Sequence, residues 1–284
     1  MLKKSFFKST TNKTTNKTFI QKIYNLIPFI KIVKSINKDT LVMFDVDHVL
    51  IMPTHDDDFR HSYREQLLQQ IKSRYSNKHF RFLESLIISA KKYHLVDLNV
   101  LNILGYLKDY QIPTIALTAL STGKFGRITK MEDLRIVNLK NMGIDFTKLS
   151  TIKDHILADK LAGTNMIFPD CVGVPMLKAG IIFTAGVNKG VVLEYILDKI
   201  RYYPKTIIFI DDDLHNLQSL EKLCIKLQII FYGFHYQAVS LMPLPFVNED
   251  LETLRFKLLE QEGVWLNYEQ LQSKYANYNK YSFF

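Results

Sequence analysis

A short, uncharged apolar run that ends in two acidic residues constrains the fold of this chain more than any other segment. Residues 41–44 carry no polar side chain, which is typical of a strand buried on both faces, and Asp45 and Asp47 follow it. In open α/β sheets, the carboxyl ends of the strands and the loops after them form the crevice where ligands bind. We therefore expect a buried parallel strand here, followed by a turn that brings both carboxylates to one site.

Two other apolar runs end in side chains that suit the binding of an anion. Residues 112–117 end at Thr118, whose hydroxyl can hold a phosphate oxygen without adding charge or can cap the start of a helix. Residues 181–184 lead through a glycine-containing turn to Lys189, just before a predicted helix over residues 191–202. The helix dipole disfavours a cation at a helix start, so Lys189 indicates a nearby anion unless its side chain simply faces solvent.

The most strand-like segment of the chain, residues 206–210, ends in three consecutive aspartates, Asp211, Asp212 and Asp213. Adjacent carboxylates repel one another, and a hard divalent cation with oxygen ligands removes that repulsion. The alternative is an exposed acidic helix start, which the helix dipole favours, and Asp213 fits that description. The run predicts a metal site that includes Asp211 and Asp212.

In their order along the chain, these four motifs resemble those of haloacid dehalogenase (HAD) superfamily phosphohydrolases. Asp45-Val46-Asp47-His48-Val49 matches the first motif, which is Asp, any residue, Asp, any residue, Thr or Val after a hydrophobic strand. Thr118 matches the second motif, Lys189 the third, and Asp211-Asp212 with Asn216 the fourth. The co-occurrence of four motifs, each after an apolar run, is far more specific than any one of them.

Several longer phrases are similar to an uncharacterised HAD-type branch, a domain of unknown function known chiefly from bacteria. They are DTLVMFDVDHVL, TIALTAL, GIIFTAGVNKG, IIFIDDD and GVWLNYEQ. The chain departs from the usual pattern at His48, where Asn or Gly is common, and at Leu120, where that branch is expected to have Arg. The first departure concerns the geometry of the loop, and the second removes a possible contact with substrate.

The resemblance implies a Mg²⁺-dependent phosphatase that hydrolyses a phosphomonoester through an aspartyl-phosphate. Asp45 would attack phosphorus, and Asp47 would protonate the leaving oxygen and later activate water. Thr118 and Lys189 would bind the substrate phosphate. The implied metal ligands are Asp45, Asp47 through its backbone carbonyl, Asp211 and Asp212.

The implied fold is α/β, a Rossmann-like parallel sheet flanked by helices, with a mainly helical cap inserted after the first motif. Apolar spacing of three and four residues predicts the helices of the cap, and a mixed helical pattern over residues 124–141 includes Leu134, Val137 and Leu139. Four parts follow: a basic tail and amphipathic leader helix (1–36), a HAD core (37–55 and 111–250), a helical cap insertion (56–110), and a C-terminal helical extension (251–284).

The positive charge of the chain is concentrated near its start. Nine lysines and one aspartate lie within residues 1–40 of a chain whose formal net charge is +9, so the folded part is nearly neutral and we expect no nucleic-acid partner. Residues 19–36 have helical spacing, with Pro28 expected to bend or split the helix. This helix would pack on the domain or lie against a membrane surface. We expect a cytoplasmic protein, with a secreted effector or organellar import as alternatives.

Two functions of other classes remain open from the sequence. One is a catalytically weak HAD-fold binding or scaffold module, although such a module need not keep both Asp45 and Asp47. The other is a secreted effector that dephosphorylates phosphoproteins, which rests on family-level analogy alone. The expected partner is a phosphorylated small molecule or phosphoprotein, and the sequence does not indicate an oligomeric state.

Overall fold

The computed structural model describes residues 17–150, 152 and 155–281, with side chains up to Lys274. Residues 1–16 of the predicted basic tail lie outside the described residues. The described strands form one large sheet and one hairpin. The sheet contains β1 (Thr18–Ile23), β2 (Thr40–Phe44), β5 (Thr114–Thr118), β6 (Ile156–Leu157), β7 (Met176–Lys178), β8 (Ile181–Phe183), β9 (Thr206–Asp211) and β10 (Ile230–Tyr236). The hairpin pairs β3 (Ile51–Pro53) with β4 (Tyr93–Leu95).

The sheet is mostly parallel, and β2 lies near its centre. The strand order is β1-β10-β9-β2-β5-β8-β7-β6. The first six strands of that order are parallel, whereas β7 and β6 are antiparallel to their neighbours. This arrangement brings the carboxyl ends of β9, β2, β5 and β8 to one edge, where ligands of open α/β sheets bind.

The helices within the described residues flank this sheet or pack beside it. They are α1 (Ile27–Val33), α2 (Ser62–Arg74), α3 (Asn77–Ala90), α4 (Asn99–Asp109), α5 (Met131–Asn141), α6 (Lys189–Ile200), α7 (Leu214–Leu227), α8 (Glu249–Glu262) and α9 (Tyr268–Tyr281). The predicted α/β class, a parallel sheet flanked by helices with helices inserted after Asp47, is confirmed.

Alternation along β2 shows why its apolar run carries no polar residue. Leu41 and Met43 pack in one apolar cluster with helices α6 and α7, whereas Val42 and Phe44 pack in another with α1 and α4. Side chains of a strand point alternately to its two faces, so a strand covered by helices on both sides must be apolar throughout. The buried position of β2 holds Asp45 at the end of a fully packed strand.

The leader helix predicted over residues 19–36 is wrong in its first part. Residues 18–23 form the edge strand β1, which pairs in parallel with β10, and only residues 27–33 form a helix. Pro28 lies in the first helical turn, where its missing N–H costs no hydrogen bond, so it begins the helix instead of bending it. Because Phe29 is fully buried against the rings of Phe44 and Phe234, this segment is part of the folded core.

The segment predicted as a cap, residues 56–110, contributes to two separate cores. Helices α2 and α3 pack against α8 and Trp265, which lie in and near the predicted C-terminal extension. Helix α4 instead packs on the sheet through Val100, Ile103, Leu104 and Leu107. The cap layer, defined here as α2, α3, α8 and α9, is therefore built from two distant parts of the chain.

Candidate active site

The strand ends bring the predicted site residues together at one edge of the sheet. Asp45 follows β2, Thr118 ends β5, Asp211 ends β9, and Lys189 is the first residue of α6, which follows β8. Parallel pairing of β2 with β5 and β9, and of β5 with β8, places these ends side by side. The short loops after the strands then have only to turn the side chains inward.

Lys189 connects two of the aspartates. Its Nζ donates hydrogen bonds to Oδ1 of Asp45 at 2.7 Å and to Oδ2 of Asp211 at 2.6 Å, and all three residues are buried. Asn188 caps helix α6 by accepting a hydrogen bond from the Val191 N–H, which orients the first helical turn. The cation that the helix dipole disfavours is thus stabilised by two carboxylates.

Burial and charge shift the proton affinities of this group. Burial raises the pKa of Asp45 well above its ordinary value of 3.8, although Lys189 opposes that rise, and it raises the pKa of Asp211 in the same way. Burial alone would lower the pKa of Lys189, but the carboxylates of Asp211 and Asp45 raise it above its ordinary value. Lys189 is therefore a permanent cation, and the buried carboxylates need more positive charge than it supplies.

Three carboxylates form a group that can hold a metal ion. Asp45, Asp211 and Asp212 each offer an oxygen, and these oxygens lie within 4.8 Å of one another. Two oxygens that are each about 2.0–2.1 Å from one Mg²⁺ are at most about 4.2 Å apart, which is close to the spacing of this group. The position of Asp211 is fixed by hydrogen bonds to its Oδ1 from the Asp213 N–H, at 2.7 Å, and from Asn216 Nδ2, at 3.1 Å. The donor set fits a hard divalent cation.

The carboxylate of Asp47 lies outside this group and has a different partner. Its Oδ1 is 3.0 Å from Nη2 of Arg135 on α5, and its side chain is 40% exposed. The predicted metal contact of Asp47 was through its backbone carbonyl, and that contact stays a prediction. The two aspartates of the first motif thus have separate surroundings, since Asp45 is buried against a lysine and Asp47 is partly open to solvent.

His48 has the backbone conformation that explains why Asn or Gly is common at its position. Its φ is 62°, in the left-handed region, which costs a residue with a β-carbon roughly 1–2 kcal/mol. Its Nδ1 lies 3.4 Å from Oδ2 of Asp212. That contact raises the pKa of His48, although burial opposes the rise. The imidazole therefore gives the side chain of Asp212 a polar contact.

Asp213 begins helix α7, as its position after the strand indicated. Its side chain accepts a hydrogen bond from the N–H of His215 at the helix N-terminus. Two polar side chains contact the backbone carbonyl of Asp212. His235 Nε2, within β10, lies 3.0 Å from it, and Gln237 Nε2, just after β10, lies 2.9 Å from it. The fourth motif is thus held by a hydrogen bond at the start of α7 and by the polar side chains of His235 and Gln237.

A cavity of about 230 Å³ opens onto these residues. Its lining includes Asp45, Asp47, Lys189 and Thr118, which joins the predicted phosphate-binding pair with the predicted catalytic pair. Leu120 and Phe168 add apolar surface, and none of the lining residues in the described part of the chain comes from α2 or α3. The wall is thus made by loops after the strands.

Arg135 and Glu132 are the charged residues near the site that apolar periodicity missed. The predicted face of this helix included Val137, which is exposed, whereas Glu132 and Arg135 are buried beside Leu139. Glu132 accepts a hydrogen bond from the N–H of Gly123, in the loop after Thr118. Charged residues on the buried face of a helix interrupt its apolar stripe. That interruption is the one sequence signal that could have pointed to Glu132 and Arg135.

Within the part of the chain that the structure describes, no helix has both the length and the apolar character to cross a membrane.

Comparisons with other proteins show relatives of low identity. An uncharacterized protein of Rickettsia bellii is 23% identical over 206 residues, which are 70% of this chain and 68% of that protein. An uncharacterized protein of Rickettsia felis is 25% identical over 160 residues, or 55% of this chain, and the match spans about half (52%) of that relative. A solved haloacid dehalogenase-like hydrolase of Streptococcus pneumoniae is 12% identical with a TM-score of 0.37, covering 68% of this chain and 93% of that one.

A protein family matches most of the chain. Its description is "Protein of unknown function (DUF2608)", and the match covers residues 20–272, which include each of the strand ends described above. The match also includes the edge strand β1 from its third residue and both parts of the cap layer up to the first turn of α9. The chain belongs to the DUF2608 family.

Proposed function

We propose that this protein is a HAD-type, Mg²⁺-dependent phosphatase that hydrolyses a phosphomonoester through an aspartyl-phosphate. The observation that carries the proposal is the convergence of Asp45, Asp211 and Asp212 beside Lys189, at a cavity that Asp45, Asp212 and Lys189 line. A group of three carboxylates, two of them buried, with one ammonium has excess negative charge, which a divalent cation would offset. The order of the four motifs supports the same chemistry.

In the first step, Oδ of Asp45 attacks phosphorus and the bond from phosphorus to the leaving oxygen breaks. Asp47 gives its proton to that leaving oxygen, which departs as an alcohol. Asp45 and Asp47 both line the cavity, so one phosphoryl group can reach both carboxyl groups. Lys189 donates to Asp45, and in this proposal it stabilises the negative charge of the phosphoryl oxygens.

In the second step, water attacks phosphorus while Asp47 takes up a proton from that water. The bond between Asp45 and phosphorus breaks, which returns both carboxyl groups to their starting states. Thr118 is buried at the end of β5 and lines the cavity, and in this proposal its hydroxyl orients a phosphoryl oxygen.

The metal would be held by Asp45, Asp211 and Asp212. When bound, Mg²⁺ supplies positive charge that allows an anionic carboxylate to approach an anionic phosphate. The cavity of about 230 Å³ is below the range of roughly 300–1,000 Å³ typical of drug-sized pockets. We therefore propose that the cavity takes the phosphoryl group and that the rest of the substrate lies outside it.

The test is hydrolysis of 4-nitrophenyl phosphate by the full chain, with Mg²⁺ and after treatment with EDTA. We expect turnover that requires the metal and falls at least about 10³-fold in Asp45→Asn, because that amide is not a nucleophile for phosphorus. A hydroxylamine-sensitive phosphate should accumulate on the parent protein in a rapid acid quench, and it should be absent from Asp45→Asn.

The matched control is Asp109→Asn, which makes the same change at an exposed residue at the end of α4. Its turnover should equal that of the parent. Turnover that persists in Asp45→Asn would exclude the nucleophile assigned here. If the parent hydrolyses none of a panel of phosphorylated metabolites and phosphopeptides, the phosphatase is excluded in favour of a binding module.

A further inference from the structure

Arg135 is a buried cation that the proposed chemistry does not yet use. It lies on α5, in the middle of a helix whose buried face also includes Met131, Glu132 and Leu139. The Arg135 side chain is only 6% exposed. A guanidinium loses much of its hydration at such a position, so it remains there only with compensating contacts.

Arg135 makes few polar contacts for a buried arginine. Its Nη2 lies 3.0 Å from Oδ1 of Asp47, and its guanidinium lies over the ring of Tyr93, 5.1 Å from the ring centroid. Its Nη1 is buried and has no hydrogen-bond partner among the described residues. The Asp47 side of this pair is 40% exposed, and ion pairs that solvent reaches contribute little to stability, so a need for stability does not explain this arginine.

The contact with Arg135 restricts the orientation of the Asp47 side chain. The Asp47 side chain is 40% exposed, and within the described residues its single ion pair is with Arg135. An exposed carboxylate on a turn samples several rotamers, whereas a rigid guanidinium selects one. Helix α5 can serve as a fixed frame because Glu132 also ties it to the N–H of Gly123, in the loop after Thr118.

We infer that Arg135 is a positioning residue for Asp47, which holds that carboxyl group in the rotamer that delivers a proton to the leaving oxygen. The inference rests on the proposed phosphatase function. The step itself is unchanged: the proton passes from Asp47 to the leaving oxygen as the bond from phosphorus to oxygen breaks. Arg135 contributes through Asp47 and need not touch the substrate.

The experiment measures how the effect of Arg135→Met depends on the leaving group. The series is 2,4-dinitrophenyl, 4-nitrophenyl and phenyl phosphate, whose leaving oxygens need progressively more help from a proton donor. General acid catalysis contributes about 10²–10⁴-fold. We expect kcat/KM for phenyl phosphate to fall within that range and kcat/KM for the dinitrophenyl ester to fall less than about 10-fold.

Two further variants strengthen the test. Asp47→Asn should show the same dependence on the leaving group, and the double variant should lose little more than Asp47→Asn alone, because both changes remove one function. Arg135→Lys should be intermediate, since an ammonium keeps the charge but not the planar fork. The matched control is Arg127→Met, at an exposed arginine just before the same helix, which should leave the whole series unchanged.

Three outcomes would overturn the inference. An equal loss across the three esters would show that Arg135 serves the fold or the phosphoryl group instead of the proton donor. Losses that multiply in the double variant would show that Arg135 acts independently of Asp47. If Arg135→Met fails to fold, the same measurements are made on Arg135→Lys and on the double variant Asp47→Asn/Arg135→Lys. A parent with no turnover on any ester overturns both this inference and the proposed function, whereas the first two outcomes leave the phosphatase intact.

Discussion

Two buried groups of charged side chains differ in whether their charges balance. In the cap layer, Arg64 Nε pairs with Glu252 Oε1 at 2.9 Å and Arg255 Nη2 pairs with Asp57 Oδ1 at 2.7 Å, so two cations face two anions. At the strand ends, three carboxylates lie together, but Lys189 contacts only Asp45 and Asp211. The third, Asp212, has the His48 imidazole 3.4 Å from its Oδ2, so one lysine and one titratable imidazole face three anions. We call the first the cap cluster and the second the site cluster.

The surroundings of the two clusters differ in the same way as their charges. The cap cluster is enclosed by protein: Trp265 Nε1 donates to Asp57 at 3.0 Å, and Arg64 Nη2 donates to the hydroxyl of Tyr268 at 2.7 Å. The site cluster borders a cavity. A balanced and enclosed cluster needs no further charge, whereas an unbalanced cluster beside a cavity indicates a charged ligand.

The largest effect should come from breaking the cap cluster. Arg255→Met leaves Asp57 buried without its cation, and breaking a buried pair in this way costs about 3–5 kcal/mol of unfolding free energy. Urea denaturation of the metal-free protein measures the change. The control is Lys226→Met, at an exposed pair with Glu194, which should cost less than about 1 kcal/mol. Equal costs for the two variants would mean that the cap cluster does not stabilise the fold.

The second-largest effect is expected at the site cluster, where removing a charge should not lower the free energy of unfolding of the metal-free protein. In metal-free protein, Asp212→Asn should be at least as stable as the parent, because it removes one of three repelling carboxylates. Mg²⁺ at 100 times its Kd should stabilise the parent by about 2.7 kcal/mol and this variant far less. Thermal denaturation with and without Mg²⁺ measures both changes, with Asp109→Asn as the control. A metal-free Asp212→Asn that is clearly less stable than the parent would contradict an unbalanced cluster.

The smallest effect concerns a pair beside the cap cluster and depends on pH. Burial would raise the pKa of Asp58, but hydrogen bonds from Arg60 lower it below its ordinary value of 3.8. The pair therefore contributes stability above the unfolded-state pKa and loses it as the pH falls through the lowered pKa. Loss of this pair in Arg60→Leu should lower the free energy of unfolding by about 1 kcal/mol at pH 7 and by less near pH 3.

Part of the effect of Arg60→Leu should not change with pH. Arg60 Nη1 also donates to the backbone carbonyl of Val239 at 2.9 Å, a contact that does not involve the Asp58 carboxyl group. Urea denaturation at several pH values separates the two contributions. If Arg60→Leu lowers the free energy of unfolding by the same amount at pH 7 and pH 3, the ion pair with Asp58 does not contribute to stability.

The strand ends were predictable because their signals are local. Each apolar run and the polar residue after it lie within a few positions, and parallel pairing then places Asp45, Thr118 and Asp211 at the same edge without further information. Lys189 was predictable for the same reason, since a cation at a helix start is a local conflict that an anion resolves.

The contacts that the sequence does not predict depend on distant segments. Arg135 meets Asp47 only because α5 packs beside the loop after β2, and no spacing rule relates the two residues. Residues 18–23 fit helical spacing as well as a strand, and pairing with β10 decided between them. The cap cluster joins Arg64 with Glu252, which are 188 residues apart in the sequence.

The two-part cap layer also sets an order of events during synthesis. Phe80, Leu83 and Ile87 of α3 complete their apolar packing only with Phe256, Leu259 and Trp265. At about 5–20 residues per second, a ribosome needs roughly ten to thirty seconds to extend the chain from α3 to Trp265. During that interval the apolar side of α3 has no partner from α8, so this surface stays uncovered until residues 256–265 have been made.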